Sequence, residues 1–293
     1  LNISELKFHF KSSLKGVFPS EEVQSFFDIL SAKYLNLTRL EIALNPKIQI
    51  SDENQNRFKE AIARLEKEEP IQYIIGESEF YGMIFKVNNS TLIPRPETEE
   101  LVEWIISENN YEDRNIPILK ILDIGTGSGC IAISLAKNLM NSEITAVDIS
   151  EDALKVAQEN ARKNNVEVNF LQMNILESDI FSYSTRTFED KYDIIVSNPP
   201  YVRELEKSEM HPNVLNYEPE TALFVKDDEP LLFYKTISAL AKNSLKQNGK
   251  LYFEINEQYG RELLEFLKGE GFINIEIRKD IYGKDRMVKS NMG

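Results

Sequence analysis

A short apolar run at residues 118–124 ends in Gly125-Thr126-Gly127-Ser128-Gly129, and a helical pattern follows over 130–139. Glycines at alternate positions between a strand and a helix let the backbone turn sharply and bring N–H groups close to a ligand. The same alternation continues with strands at 144–147, 168–173, 192–197 and 250–255, and helices at 152–163 and 261–267. Strands at 273–278 and 287–290 close the series. Strand and helix in alternation predict an α/β fold with a mostly parallel sheet and helices on both faces.

Residues 1–70 read differently. Apolar residues recur at helical spacing over 21–30, where Ser20 is the expected N-cap, and again through Phe58, Ile62 and Leu65 up to Pro70. This predicts a small helical bundle. Tyr73-Ile74-Ile75 and residues 83–87 are β-like runs around Gly76 and Gly82, so residues 71–92 are expected to form a hairpin linker. Pro94-Arg95-Pro96 then halts regular structure before a helix over 97–106 with an acidic first turn, opening a domain over 93–293. The stretch 182–190 is polar and of low complexity.

Composition narrows the function. One cysteine, Cys130, and two histidines, His9 and His211, are too few for a disulfide framework or a zinc cluster. Cys130 is expected to pack as a small apolar group, and His211 to lie in a loop. Polar residues interrupt the first fifteen positions, so no signal peptide or membrane span is expected and the cytoplasm is the expected location. Leu1 in place of methionine reads as a trimmed or engineered start. A net charge of −14 weighs against binding by neutralisation of many phosphates, since Lys and Arg are not clustered along the chain.

The glycine loop lacks both the third glycine of the dinucleotide fingerprint, where Cys130 stands, and the Gly-Lys-Ser/Thr ending of phosphate loops. Asp123, just before the loop, would repel a pyrophosphate and attract an α-amino group. S-adenosylmethionine, a cationic amino-acid nucleoside, fits. Asp148, at the end of the next strand, is placed to accept hydrogen bonds from both ribose hydroxyls. Asn174 and Ile175 follow the third strand, where an adenine amino group and ring face would lie; an ordinary turn reads almost equally well. Ser150 and Asp152 are the expected helix caps.

Asn198-Pro199-Pro200-Tyr201 ends the strand 192–197. Two prolines fix the backbone and remove two N–H donors, leaving the Asn198 side-chain oxygen and the Pro199 carbonyl as acceptors for an –NH₂ group. The Tyr201 ring would cover the planar face of an amide or base.

Together the Gly125–Gly129 loop, Asn198 to Tyr201 and Leu92-Ile93-Pro94-Arg95-Pro96-Glu97-Thr98-Glu99 resemble the HemK/PrmC family of protein-(glutamine-N5) methyltransferases. So do Tyr73-Ile74-Ile75-Gly76, Phe80-Tyr81-Gly82, Tyr217-Glu218-Pro219 and Ala222-Leu223. The resemblance implies a Rossmann-like methyltransferase domain with a mostly parallel seven-stranded sheet behind a helical domain that helps dock the substrate. It implies methyl transfer from S-adenosyl-L-methionine, leaving S-adenosyl-L-homocysteine, to the glutamine of the Gly-Gly-Gln motif in class 1 peptide chain release factors. Thr98, Asp123, Gly125 with Thr126, Gly127, Ser128 and Gly129, Asp148, Asn174, Ile175 and Asn198 would line the cofactor site. Asn198, Pro199, Pro200 and Tyr201 would hold the glutamine amide. Asn174 and Asn256 depart from the family pattern of aspartate and glycine, and neither is expected to touch the tetrad. The alternative is a nucleic-acid amino methyltransferase acting on adenine N6 or cytosine N4, which shares the tetrad.

Overall fold

The structure, a computed structural model, describes residues 1–109, 117–177 and 191–293. The polar stretch 182–190 lies outside the described residues. Two compact units are present: residues 1–77 with 211–217, and residues 78–210 with 218–293.

The first unit is helical, with α1 (Ile3–Ser13), α2 (Ser20–Leu35), α3 (Arg39–Leu44), α4 (Asp52–Leu65) and α5 (Ile71–Ile75), joined by α9 (Pro212–Tyr217) from far along the chain. Capping residues explain the starts: Asn2 with Glu5 and Thr38 with Glu41 form reciprocal boxes, and Ser51 caps α4. Ser20 does not cap α2. Pro19 holds the N-cap position and Ser20 is the first helical residue, with no side-chain cap. Phe10, Phe27 and Phe58 meet at the centre, the Phe10 ring 5.6 and 6.2 Å from the other two. The run Tyr73-Ile74-Ile75 belongs to α5 rather than to a strand. Pro70 opens that short helix and Gly76, left-handed at φ 72°, closes it, so Ile71 and Ile74 pack into the helical core.

In the second unit the hairpin pairs β1 (Glu77–Phe80) with β2 (Met83–Lys86). Helix α6 (Pro96–Asn109) begins at Pro96, whose missing N–H costs nothing at a first helical position. Then follow β3 (Leu119–Ile124), α7 (Cys130–Asn138), β4 (Ser142–Asp148), α8 (Glu151–Asn164), β5 (Asn169–Gln172) and β6 (Tyr192–Ser197). The short β7 (Val202–Arg203) pairs in parallel with β8 (Phe224–Val225), with α10 (Glu220–Leu223) before β8. The unit ends with α11 (Leu232–Ser244), β9 (Leu245–Glu254), α12 (Gly260–Gly269), β10 (Phe272–Lys279) and β11 (Asp285–Met292).

Seven strands form one sheet in the order β10-β11-β9-β6-β3-β4-β5, with β11 antiparallel to both neighbours and the other pairs parallel. Strand alternation sorts the core: Leu122, Ile195, Leu251 and Phe253 face α11 and α12, while Ile121, Ile194, Val196 and Tyr252 face α6 and α7. Chain order runs β3 to β4 to β5 in one direction and resumes at β6 on the other side of β3. The carboxyl ends of β3 and β6 therefore flank the point where strand order reverses, the place such sheets bind ligands. In space three cations do gather, Lys250, Arg278 and Lys289, but around the Glu108 carboxylate and the Trp104 ring. No helix among the described residues is long and apolar enough to cross a membrane.

Candidate active site

The glycine loop leaves β3 with Gly125, Gly127 and Gly129 all at positive φ, from 56° to 83°. Gly125 and Thr126 donate their backbone N–H groups to the Val147 carbonyl, tying the loop to β4. Gly129 is the most confined. A Cβ there would lie 2.9 Å from Ile133 Cδ1 and 3.1 Å from Ala157 Cβ, so α7 and α8 approach as closely as they do only because it has no side chain. The Asn160 carboxamide braces the loop, donating to the carbonyls of Ser128 and Lys86 and accepting from the Lys86 N–H.

Asp148, at the end of β4, accepts the N–H of Gly127 at 2.8 Å and that of Ser150 at 2.9 Å, one on each oxygen. Both oxygens keep a lone pair for a further donor. Burial raises the Asp148 carboxyl above the usual carboxylate range, and the N–H groups of Ser150, Gly127 and Ile149 oppose the rise. Ser150 alone caps α8, accepting the Ala153 N–H, while Asp152 lies within the first turn of the helix. Asp123 is wholly buried beneath the loop. Its Oδ2 accepts the Thr126 hydroxyl at 2.6 Å, its Oδ1 has no partner, and burial pushes the carboxyl up to about 7.

A cavity of about 330 Å³ opens at the carboxyl ends of β3, β4 and β6. Gly125, Gly127, Asp148, Asn174, Ile175, Asn198, Pro199 and Pro200 line it. Asp123, Thr126, Ser128 and Gly129 stand behind this wall, and Thr98 and Tyr201 lie outside it. Asp148 is the one charged side chain among its described lining residues. Asn174 closes a local turn there: its Oδ1 accepts the Leu176 N–H and its Nδ2 donates to Glu177.

A second, smaller cavity of about 50 Å³ adjoins the tetrad, walled by Arg95, Tyr201, Leu223 and Glu254 among others. Leu92, Asn198, Pro199 and Ala222 border both cavities. Asn198 is thus common to the two, and its orientation is fixed from behind: Nδ2 donates to Thr98 Oγ1 at 3.2 Å. Ser197 donates to the Ile124 carbonyl at 2.7 Å, joining the tetrad strand to the root of the glycine loop. Contrary to expectation, Asn256 touches the tetrad. Its Nδ2 donates to the Tyr201 carbonyl at 3.3 Å, a contact a glycine could not make.

Two side chains at this site escaped the sequence reading of roles. Glu218, its side chain 1% exposed, accepts the Arg95 guanidinium at 2.6 Å and the Ile93 N–H at 3.2 Å, pinning the proline-arginine-proline segment. Glu254, at the end of β9, is buried and bonded to Thr98 and Tyr201. A carboxylate closing the apolar run Leu251-Tyr252-Phe253 was the available signal, because a charge at the carboxyl end of a central strand seldom serves packing.

A mostly parallel seven-stranded sheet with a glycine loop and Asn-Pro-Pro-Tyr on adjacent strand ends across the reversal point defines a methyltransferase of the Rossmann-like class. Accordingly, residues 117–276 match the family described as methyltransferase domain, and residues 9–76 match the PrmC N-terminal domain. The chain is 49% identical to the release factor glutamine methyltransferase of Flavobacterium psychrophilum, over 99% of each chain. It is 44% identical to that of Bacteroides thetaiotaomicron, over 97% of this chain and 98% of the relative. Among solved structures, human methyltransferase 10 domain containing protein superposes with a TM-score of 0.53 at 18% identity, over 73% of this chain and 89% of that one. A methyltransferase from Pyrococcus furiosus gives 0.51 at 16%, over 83% and 100%. These two are similar in fold. The chain belongs to the family of release factor glutamine methyltransferases.

Proposed function

We propose that this protein transfers a methyl group from S-adenosylmethionine to the side-chain amide nitrogen of the glutamine in the Gly-Gly-Gln motif of class 1 peptide chain release factors. The observation that carries the reading is the position of Asn198 between the two cavities. The larger suits the cofactor, because its charged lining is a carboxylate: a cationic nucleoside finds a counter-charge and a phosphate-bearing one does not. Asp148 would hold the ribose hydroxyls, Ile149, Ile175 and Leu176 offer an apolar surface for the adenine, and the loop of Gly125 and Gly127 faces the amino-acid end. The smaller cavity has room for roughly four water-sized groups, the scale of a carboxamide rather than a purine.

When bound, the cofactor supplies an electrophilic methyl group on a sulfonium. An amide nitrogen is a poor nucleophile because its lone pair is delocalised into the carbonyl. The chain answers with position and polarity. With Asn198 Nδ2 engaged by Thr98, Oδ1 is the free acceptor, and with the Pro199 carbonyl it can take both hydrogens of the substrate –NH₂. Attack by nitrogen would take the methyl group from sulfur and leave a neutral thioether, and one N–H proton would pass to water to give the N-methylamide. Positive charge developing on nitrogen strengthens both bonds, so they favour the transition state over the ground state. The prolines hold these acceptors without reorganisation. Tyr201 covers the amide plane, and the helical unit, with Phe8, Leu40 and Leu44 exposed, serves in docking.

The test is labelled methyl transfer from S-adenosylmethionine to a purified release factor, its glutamine-to-alanine variant and duplex DNA. Label on the first alone is expected; label on the variant or on DNA contradicts the reading.

A further inference from the structure

Glu254 sits at the hub of a closed chain of hydrogen bonds whose two ends are both in the tetrad. Its Oε2 accepts the Thr98 hydroxyl at 2.6 Å, and its Oε1 accepts the Tyr201 hydroxyl at 3.1 Å. Thr98 Oγ1 in turn accepts from Asn198 Nδ2 at 3.2 Å. Glu254 is 1% and Thr98 3% exposed, so water does not satisfy these groups instead. The Tyr234 hydroxyl holds the Glu254 carbonyl at 3.2 Å, fixing the backbone from which the carboxylate projects.

Burial raises the Glu254 carboxyl above the usual carboxylate range, and the Thr98 and Tyr201 hydroxyls oppose the rise; in its ionised form the polarity of this chain has one consistent assignment. An ionised carboxylate only accepts, so both hydroxyls must donate to it. A threonine hydroxyl has one hydrogen, and once that is given to Glu254 its oxygen can only accept from the neighbour. Asn198 must then turn Nδ2 inward and Oδ1 outward. Reversing the amide would set oxygen against oxygen in a buried site and leave a donor facing the substrate –NH₂.

We propose that Glu254, acting through Thr98, is a positioning and specificity-determining residue: it fixes the Asn198 amide with its oxygen toward the substrate and so makes the site select a carboxamide over a carboxylate. The inference rests on the glutamine reading above. A glutamate side chain in the small cavity would meet the Asn198 and Pro199 oxygens with oxygens of its own, and would lie beside the Glu254 carboxylate in the same wall. Thr98 is correspondingly a relay, not part of the wall of the larger cavity.

The experiment is a mutant cycle on the full chain with a release factor as substrate, measuring turnover, KM and, by calorimetry, S-adenosylmethionine affinity. Glu254→Gln puts a donor where one of the two hydroxyls needs an acceptor, and Thr98→Val removes the relay. Each is expected to lower turnover about ten- to a hundredfold, the scale of a small misplacement of reacting groups, with cofactor affinity unchanged. The double variant should be no slower than the slower single one, because both act through one chain. Thr98→Ser, which keeps the hydroxyl, should stay near native turnover and shows that loss of fold is not the cause. Native turnover in Glu254→Gln, multiplying losses in the double variant, or a parallel loss of cofactor affinity overturns the inference while leaving the glutamine reading intact. Absence of transfer to glutamine by the native protein overturns both.

Discussion

The two halves of the active site are built by opposite means. The glycine-loop half is local: one strand, five loop residues and the next strand end supply it, and backbone N–H groups do most of the bonding. The tetrad half is assembled from afar, with Arg95 held by Glu218, Thr98 by Glu254, and Tyr201 by Glu254 and Asn256. Backbone-built sites tolerate side-chain change but not added bulk. Sites built from side chains fail when one polar partner is removed.

That difference can be broken most severely at Asn198, where the halves meet. Asn198→Ala should lower turnover on the order of a hundredfold or more, as removal of one preorganised polar group does. Steady-state kinetics at saturating cofactor checks it, and calorimetry should show cofactor affinity little altered.

On the backbone-built side, Gly129→Ala should cost about 2–4 kcal/mol of stability, combining left-handed backbone strain with the clash against Ile133 and Ala157. Denaturant unfolding measures it. A side-chain deletion in the same half is milder: Asp148→Ala should weaken cofactor binding about tenfold, roughly 1.4 kcal/mol, with turnover at saturation largely kept.

The contrast is also sharpened through pH. Because burial lifts the Asp123 carboxyl to about 7, the folded state holds a proton that the unfolded state has released. Stability therefore falls as pH rises from about 4 to about 7, by at most about 1.4 kcal/mol per pH unit from this group, and the loss is complete above that window. Asp123→Asn should flatten that part of the stability–pH curve.

How far the sequence could be read follows the same division. The seven strands of the large sheet and helices α7, α8 and α12 emerged from periodicity, because each central parallel strand is apolar on both faces and each helix on one. The turn at Gly76 misled because Tyr73-Ile74-Ile75 is too short for period to distinguish strand from helix, and Pro70 decided it. Helix α11 was not anticipated, although Tyr234, Ile237, Leu240 and Ala241 bury one face at helical spacing. In the site, the loop, Asp148 and the tetrad were visible as contiguous motifs. Glu218 and Glu254 were not given roles, since their partners Arg95 and Thr98 lie more than a hundred positions earlier and no local pattern links them.

The central claim is that a glutamine amide, presented to Asn198, receives the methyl group. Peptide mass spectrometry of a release factor after incubation with this protein and S-adenosylmethionine tests it most directly. One added methyl group on the glutamine of the Gly-Gly-Gln peptide, absent when Asn198→Ala replaces the native protein, is the predicted result. A methyl group on any other residue, or on that glutamine undiminished by Asn198→Ala, would contradict it.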